Sequence, residues 1–286
     1  MEPKNNISIS YDIREGAFKI HKAALAQNVI ELDITSSCNL SCVDCTRGCD
    51  ILGSEYKRGN LSLADVKQFI AETENLNHKW KRIKVVGGEP TLHPEVLDIV
   101  AVLYEHCRSR GTLLSFHTNS ATSKTRQIYK SLQAKFPSLM GFSSPKTLGQ
   151  TIYPQFFITP WINPEDIGEK NAIQKGACWC PTECGMGLSS TGYGICCGIH
   201  MYVRAYKTDS EIKTLADLFD PDKIVAHIER FCTHCGITLK HNKFSASVGG
   251  KARVSRYWYD FFKLEHPAHW DSICKIIEPK LNHNGG

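Results

Sequence analysis

The stretch VIELDITSSCNLSCVDC, residues 29–45, joins an apolar, β-branched run to a loop that contains three cysteines. Residues 29–35 predict a buried strand, because short apolar runs rich in β-branched residues are typical of strands inside a sheet. The thiols of Cys38, Cys42 and Cys45 then follow with the spacing C-x3-C-x2-C. The sequence therefore predicts a polar, thiol-rich loop at the end of a buried strand.

The composition limits the class of protein. The chain has 286 residues, of which 42% are hydrophobic and 22% are charged, as in ordinary soluble proteins. It has no apolar run of about 18 residues to span a membrane, and its N-terminus lacks the apolar segment of a secretory signal. We expect a cytoplasmic protein, in which 13 cysteines are more typical of metal binding than of disulfides. The net charge of +5 favours a small anionic ligand and is too diffuse to indicate nucleic acid.

Predicted strands and helices alternate through the first part of the chain. The strands are predicted at residues 29–35, 82–86, 112–117, 139–144 and 155–160, and the helices at residues 60–73, 93–107 and 123–133. Repeated units of this kind predict an α/β fold with a parallel sheet, either open or closed into a barrel. After about residue 175 the pattern changes to cysteine- and glycine-rich sequence, which predicts a smaller second module.

Three polar motifs follow three of the predicted strands. They are CNLSCVDC at residues 38–45, GGEP at residues 87–90 and HTNS at residues 117–120. Because parallel strands bring their carboxyl ends to one edge of a sheet, and ligands bind at that edge, we expect these motifs to form one site.

The three-cysteine loop has three interpretations. Buried structural thiols are common, but three of them in a polar loop would make a poor core. A zinc site needs four ligands, usually in C-x2-C pairs. An iron–sulfur cluster is held by cysteine thiolates, and a cluster with only three would keep one iron open to another ligand.

On these motifs the sequence resembles the radical S-adenosylmethionine enzymes, whose signature is a C-x3-C-x2-C loop after the first strand of a partial barrel. The resemblance implies a partial (β/α)6 TIM-like barrel. It also implies that Cys38, Cys42 and Cys45 bind a [4Fe–4S] cluster and that S-adenosylmethionine is the cofactor.

The same resemblance assigns cofactor contacts to the other two motifs. It places Gly87, Gly88 and Glu89 at the methionine end of S-adenosylmethionine, with the Glu89 carboxylate near the ammonium group, and it places Asn119 near the cofactor. The chain departs from the family at Asp44, where an aromatic residue usually lies against the adenine. We therefore assign no adenine contact.

A second set of cysteines follows the predicted barrel. Cys180, Gly192 and Cys197 match the C-x9–15-G-x4-C hairpin of the family's C-terminal extensions, and Cys232 and Cys235 form a later C-x2-C pair. The layout resembles the short twitch extension related to the SPASM domain, which implies a second [4Fe–4S] cluster. A zinc ribbon is the alternative, and the adjacent thiols could replace the chosen ligands. Those thiols are Cys178 and Cys196.

The resemblance also implies a division of the chain and a reaction. Residues 1–175 would form the barrel, and residues 176–286 would form the auxiliary module with the tail. In length and layout the chain is similar to the 2-deoxy-scyllo-inosamine dehydrogenases. We therefore expect a radical oxidoreductase that oxidises a small, polar sugar, aminocyclitol or polyol, supplied with electrons by a reductant such as flavodoxin or ferredoxin.

Other functions stay open at this stage. An epimerase would start with the same hydrogen abstraction and return a hydrogen from a spare thiol such as Cys49, Cys184 or Cys274. A peptide maturase is disfavoured by the short segment of about 28 residues before the first predicted strand. A zinc-binding module that contacts nucleic acid would need basic residues interleaved with aromatic ones, and only the tail offers any. The sequence does not identify a catalytic residue.

Overall fold

The structure is a computed structural model. It describes residues 8–12, 17–21, 28–42, 45–49, 51–52, 59–143, 160–170, 173, 178, 180, 184–237, 252–265 and 274–276.

Ten strands lie in the described part of the chain. They are β1 (Ser8–Asp12), β2 (Ala17–His21), β3 (Val29–Asp33), β4 (Arg82–Val86), β5 (Leu113–Thr118), β6 (Met140–Ser143), β7 (Met186–Ser189), β8 (Gly192–Gly194), β9 (Ala252–Val254) and β10 (Cys274–Ile276). Six of them form one sheet in the order β6-β5-β4-β3-β7-β8. All neighbours in this sheet are parallel except β7 and β8, which form an antiparallel hairpin.

The helices described by the structure alternate with the strands of the large sheet and continue after it. They are α1 (Leu63–Asn75), α2 (Val96–Arg110), α3 (Ser123–Lys135), α4 (Ile199–Ala205), α5 (Pro221–Phe231) and α6 (Arg256–Glu265). Within these ranges, no helix combines the length and the hydropathy needed to cross a membrane. The α/β class with a mostly parallel sheet is therefore confirmed, and closure into a partial barrel stays a prediction.

The first helix forms where the sequence predicts it. The Ser62 side chain accepts a hydrogen bond from the Asp65 backbone N–H, and the Asp65 carboxylate accepts one from the Ser62 backbone N–H. This reciprocal capping box satisfies two backbone donors that a helix start would otherwise leave open. Val66, Phe69 and Thr73, at helical spacing, are the buried face.

Other boundaries differ from the sequence-based prediction. The helix predicted from residue 93 begins at Val96, because a short 3-10 turn at Pro90–Leu92 comes first, and it continues to Arg110. Gly111 then takes a left-handed conformation, a common way to end a helix. The β1–β2 hairpin was not predicted. Of the strand predicted at residues 155–160, all but the last residue lies outside the described residues.

The strands of the parallel sheet separate the core from a polar interior. Successive side chains of a strand point to opposite faces. On β3, Ile30 and Leu32 are fully buried in the hydrophobic core, and the alternate positions are occupied by Glu31 and Asp33. On β4, Lys84 lies between the core residues of that strand. One face of the sheet thus carries buried charged groups.

The hairpin predicted for the second module belongs to the same sheet as the first strand. β7 pairs with β3, with Ile30 opposite Met186. The turn into β7 needs glycine at position 185, where φ is +101° and an added Cβ would lie 2.5 Å from the Val29 carbonyl oxygen. The second cysteine set is therefore attached directly to the strand that precedes the first one. The division at residues 175 and 176 stays a prediction.

An aromatic cluster packs around α6. Trp258 on α6 is fully buried, and its ring centroid lies 5.1 Å from that of Trp161, 5.3 Å from that of Tyr202 and 5.7 Å from that of Phe262. These distances suit edge-to-face and offset aromatic contacts. The cluster connects α6 to α4 and to the segment that begins at residue 160.

We predict that Trp258→Ala lowers the free energy of unfolding by about 3–5 kcal/mol, because it opens a large cavity in this cluster. Urea unfolding followed by circular dichroism measures the change. Leu264→Ala is the matched control on the same helix, where the side chain is 81% exposed, and it should change stability by less than about 0.5 kcal/mol. Equal effects of the two substitutions would contradict this packing.

Candidate cluster and cofactor site

The first cysteine loop and the glycine-rich segment run side by side at the carboxyl edge of the sheet. The backbone N–H of Gly88 donates to the Thr35 carbonyl over 2.7 Å, and the backbone N–H of Glu89 donates to the Ser37 carbonyl over 2.8 Å. These bonds continue the β3–β4 pairing beyond the two strands. Two motifs that are about 50 residues apart in the chain therefore meet in space.

This approach requires the two glycines. A Cβ at Gly87 would lie 2.6 Å from the Thr35 carbonyl oxygen, and a Cβ at Gly88 would lie 2.3 Å from the Ser37 carbonyl oxygen. Real side chains do not tolerate such distances to backbone atoms. The Gly88 position also faces Cys38, whose Cβ would lie 3.0 Å from the added atom. The glycine pair thus lies directly beside the first cysteine.

The third motif touches both of the others through Asn119. Its side-chain Nδ2 donates to the Asn39 side-chain oxygen over 2.7 Å and lies 3.8 Å from the Cys38 sulfur, a weak N–H to sulfur contact. Its backbone N–H donates to Glu89 Oε2 over 2.7 Å. The three motifs predicted to form one site are thus in contact.

Glu89 is fully buried, and both oxygens of its carboxylate accept hydrogen bonds from other residues of the protein. Oε1 accepts hydrogen bonds from the Thr91 backbone N–H, the Thr91 hydroxyl and the Thr118 hydroxyl at 3.1, 2.7 and 2.8 Å. Oε2 accepts from the Asn119 backbone N–H. Glu89 therefore ties the end of β4 to the end of β5. Its contact with a cofactor ammonium stays a prediction, and the structure gives the carboxylate a structural role.

A further thiol joins the first cysteine set. The backbone N–H of Gly48 donates to the Cys45 carbonyl over 2.8 Å, which closes a tight turn, with Gly48 in the left-handed region at φ +65°. Cys49 follows this turn, and its thiol hydrogen-bonds with those of Cys38 and Cys45. These bonds raise the pKa of Cys49 well above its usual value and lower that of Cys38.

The sequence signal for this fourth thiol is the extended spacing C-x3-C-x2-C-x3-C. The sequence-based prediction of Cys49 as a spare thiol does not use this signal. Cys42 is buried in the same loop. Asp44, the departure from the family pattern, lies outside the described residues.

The thiols of the second cysteine set are neighbours of one another, and Cys178 hydrogen-bonds with Cys180. Burial raises the pKa of Cys232, and the nearby thiols of Cys196, Cys235 and Cys178 raise it further. Cys178 also acts on Cys235, which follows α5 in the same turn as Cys232. The structure thus groups the C-x2-C pair with Cys178 and Cys196.

The two remaining cysteines of the expected ligand set share a further neighbour. The thiol of Cys184 hydrogen-bonds with those of Cys180 and Cys197, which lowers the pKa of Cys184 to about 4. The predicted set of Cys180, Cys197, Cys232 and Cys235 therefore stays a prediction. The alternative with Cys178 and Cys196 agrees better with the observed neighbours.

Both cysteine sets fit iron–sulfur clusters by the chemistry of their donors. In the described ranges, no three or more Cys, His, Asp or Glu side chains already converge as a binding site for a single metal ion. Neighbouring thiols within each set nevertheless interact, and thiolate sulfur is the ligand that such clusters use. Each set contains at least the three or four thiols that a cluster requires.

A buried ion network lies between the two cysteine sets. Glu31 Oε1 accepts a hydrogen bond from Lys84 Nζ at 2.9 Å, and Glu31 Oε2 is bonded by the Arg47 guanidinium. Burial opposes ionisation of Glu31, but the two cations hold its pKa below the usual value. The cations also reach the second set, since Lys84 donates to the Cys184 carbonyl at 2.9 Å and Arg47 to the Cys197 carbonyl.

Asp33 lies next to this network at the end of β3. Its Oδ2 is 3.9 Å from Arg47 Nε, and its Oδ1 has no hydrogen-bond partner among the described residues. Burial raises the pKa of Asp33, although the positive charges of Arg47 and Arg204 oppose the rise. Asp33 and the ion network were not found by sequence reasoning, because their contacts join distant parts of the chain.

His117 of the HTNS motif lies on β5. Its ring stacks on that of Phe142 at a centroid distance of 4.6 Å, and its Nε2 lies 3.3 Å from the Ser115 hydroxyl oxygen. Burial lowers its pKa to about 4. The ring is therefore neutral at pH 7 and can exchange hydrogen bonds without adding charge.

Comparisons with known proteins give structural matches at low sequence identity. No protein-family model and no curated protein sequence matches the chain. Among solved structures, SuiB of Streptococcus suis bound to S-adenosylmethionine aligns with a TM-score of 0.30 and 16% identity over 40% of this chain and 24% of that chain. BtrN in complex with AdoMet and 2-DOIA aligns with a TM-score of 0.41 and 16% identity over 72% of this chain and 87% of that chain. The chain thus spans about a quarter of the SuiB chain that it matches.

We predict that Glu89→Gln destabilises the protein by about 1–3 kcal/mol, because the amide NH2 group replaces a carboxylate oxygen and faces a hydrogen-bond donor that then has no acceptor. Urea unfolding measures the loss. Glu105→Gln on the exposed surface of α2 is the control and should leave stability unchanged. Full stability of the Glu89 variant would contradict the four hydrogen bonds assigned to this carboxylate.

Proposed function

We propose that the chain is a radical S-adenosylmethionine enzyme with an auxiliary iron–sulfur cluster, which oxidises a small polar substrate. The observation that carries the proposal is the contact of three motifs at one sheet edge. The C-x3-C-x2-C loop, the glycine pair of GGEP and Asn119 meet there through backbone and side-chain hydrogen bonds.

The roles of the first site follow from its residues. Cys38, Cys42 and Cys45 hold a [4Fe–4S] cluster, which when bound supplies the electron that cleaves S-adenosylmethionine to a hydrogen-abstracting 5′-deoxyadenosyl radical. Gly87 and Gly88 let the backbone approach the cofactor closely, because they present no side chain.

The second cysteine set would hold the auxiliary cluster. Lys84 and Arg47 donate to carbonyl groups of this set from the sheet side. A substrate bound at the charged face of the sheet would therefore lie between the two cysteine sets. A cluster there could accept the second electron of an oxidation, and an external reductant such as flavodoxin or ferredoxin would supply the first site.

The polar interior supports a small polar substrate. This face of the sheet has two carboxylates (Glu31 and Asp33), two cations (Lys84 and Arg47) and one neutral imidazole (His117). Such groups bind hydroxyl, amine and anionic substituents by hydrogen bonds and charge. They suit a sugar, aminocyclitol or polyol better than an apolar ligand.

Epimerisation is the second candidate, and the thiol of Cys49 favours it. Hydrogen bonds with the thiols of Cys38 and Cys45 raise the pKa of Cys49 well above its usual value, so it retains the S–H hydrogen that an epimerase returns to a substrate radical. The product mass after anaerobic turnover distinguishes the two reactions. Oxidation removes two hydrogens, whereas epimerisation leaves the mass unchanged in water and adds one deuterium in deuterated solvent.

We predict that the anaerobically reconstituted protein binds roughly eight irons per chain, the sum of two four-iron clusters. Iron and sulfide analysis with electron paramagnetic resonance measures both clusters. Cys107→Ala is the control, since this thiol is buried in α2 away from both sets. Bound zinc with little iron at either set would contradict the proposal and favour a zinc ribbon.

We predict that the double variant Cys232→Ala/Cys235→Ala loses one cluster and retains cleavage of S-adenosylmethionine at the other. Under the oxidation proposal, 5′-deoxyadenosine then forms without oxidised product, because the substrate radical has no electron acceptor. Liquid chromatography with mass detection measures both products. A soluble double variant that makes oxidised product at the parental rate would rule out the acceptor role.

A further inference from the structure

We propose that Asp33, rather than Glu89, is the carboxylate that binds the ammonium group of the methionine moiety of S-adenosylmethionine. The inference rests on the proposed function and assigns one contact within it. It follows from the hydrogen bonds of the buried carboxylates at the cofactor edge.

Asp33 offers an oxygen that the protein does not use. The residue is 6% exposed, and Oδ1 has no hydrogen-bond partner among the described residues. Oδ2 faces Arg47, whose Nε is 3.9 Å away. A buried carboxylate oxygen without a donor is costly, and proteins seldom retain one without a ligand or another compensating contact.

The open oxygen faces the glycine pair. A Cβ built on Gly87 would lie 3.3 Å from Asp33 Oδ1. The neighbouring Gly88 faces Cys38, with a distance of 3.0 Å between the corresponding Cβ positions. Gly87 therefore lies near the unpaired oxygen of Asp33, and Gly88 lies near Cys38. A ligand that binds at the cysteine loop and along the glycines would have its polar end within reach of Asp33.

The other two buried carboxylates near this edge are already engaged. Glu89 accepts three hydrogen bonds at Oε1 and one at Oε2. Glu31 is bonded by Lys84 at one oxygen and by Arg47 at the other. Every oxygen of these two carboxylates thus already has a donor, whereas Asp33 Oδ1 has none. Asp33 gains a charge-assisted hydrogen bond without losing one.

The experiment measures cofactor binding on the anaerobically reconstituted, unreduced protein by equilibrium dialysis with S-adenosylmethionine. Asp33→Asn should raise the Kd by roughly ten- to a hundredfold, the usual effect of losing a hydrogen bond to a charged group. Glu89→Gln should change the Kd by less than about threefold in protein that is still folded. Asp98→Asn, at an exposed position on α2, is the matched control. Iron content and the electron paramagnetic resonance spectrum report whether each variant retains its clusters.

A second ligand isolates the contact. The probe is an S-adenosylmethionine analogue in which hydrogen replaces the α-amino group. The wild-type protein should bind it more weakly than S-adenosylmethionine, whereas Asp33→Asn should bind both with similar affinity. Asp33→Ser provides the same comparison with a neutral side chain if the asparagine variant loses iron.

Each outcome decides the inference. Loss of discrimination between the two ligands in a variant that keeps its clusters supports the ammonium contact. Unchanged discrimination in such a variant, or a larger loss of affinity in Glu89→Gln than in Asp33→Asn, overturns it while the proposed function stands. If the wild-type protein with both clusters fails to bind S-adenosylmethionine, the proposed function fails and the inference fails with it.

Discussion

The arrangement of the candidate site depends on the buried carboxylate of Glu31. A buried charge is tolerated only when opposite charges and hydrogen bonds compensate for its lost hydration. Here the compensation comes from Lys84 on β4 and from Arg47 in the first cysteine loop. Because both cations also donate to carbonyls of the second cysteine set, this carboxylate connects the sheet, the first loop and the second set.

The close approach of the cysteine loop to the GGEP segment explains why glycines occupy the contact between them. Parallel pairing of β3 with β4 continues into the loops, and the loops can approach only because Gly87 and Gly88 lack a Cβ. Glu89 then fixes the neighbouring strand end through Thr118 and Asn119. The β3–β4 backbone pairing, the two glycines and the hydrogen-bonded Glu89 carboxylate together position the first cysteine loop at this edge of the sheet.

Local features and the common edge of the polar motifs could be predicted from the sequence, whereas individual side-chain contacts between distant residues could not. The helix after Ser62 was predicted correctly because its capping box and buried positions lie within a dozen residues. The glycine and cysteine motifs were placed at one edge because strand order alone determines that. The proximity of Cys178 and Cys196 to Cys232 depends on how distant turns pack, and the spacing of the cysteines alone does not determine it.

The carboxylates show the same limit. Glu89 and Asp33 are both acidic residues near a strand end, and the motif favours Glu89 as the ligand of a cation. Only the three-dimensional structure reveals that donors surround one carboxylate and that the other keeps an open oxygen. Whether a buried carboxylate has hydrogen-bond partners depends on the residues around it in the folded protein, so residue type and spacing do not predict it.

The most direct test of the central claim is anaerobic incubation of the reconstituted protein with S-adenosylmethionine and dithionite, followed by quantification of the products. The account predicts that 5′-deoxyadenosine and methionine form in equal amounts, and that neither forms when Cys38, Cys42 or Cys45 is replaced by alanine. Intact S-adenosylmethionine in the presence of a reduced cluster at the first cysteine set would contradict it.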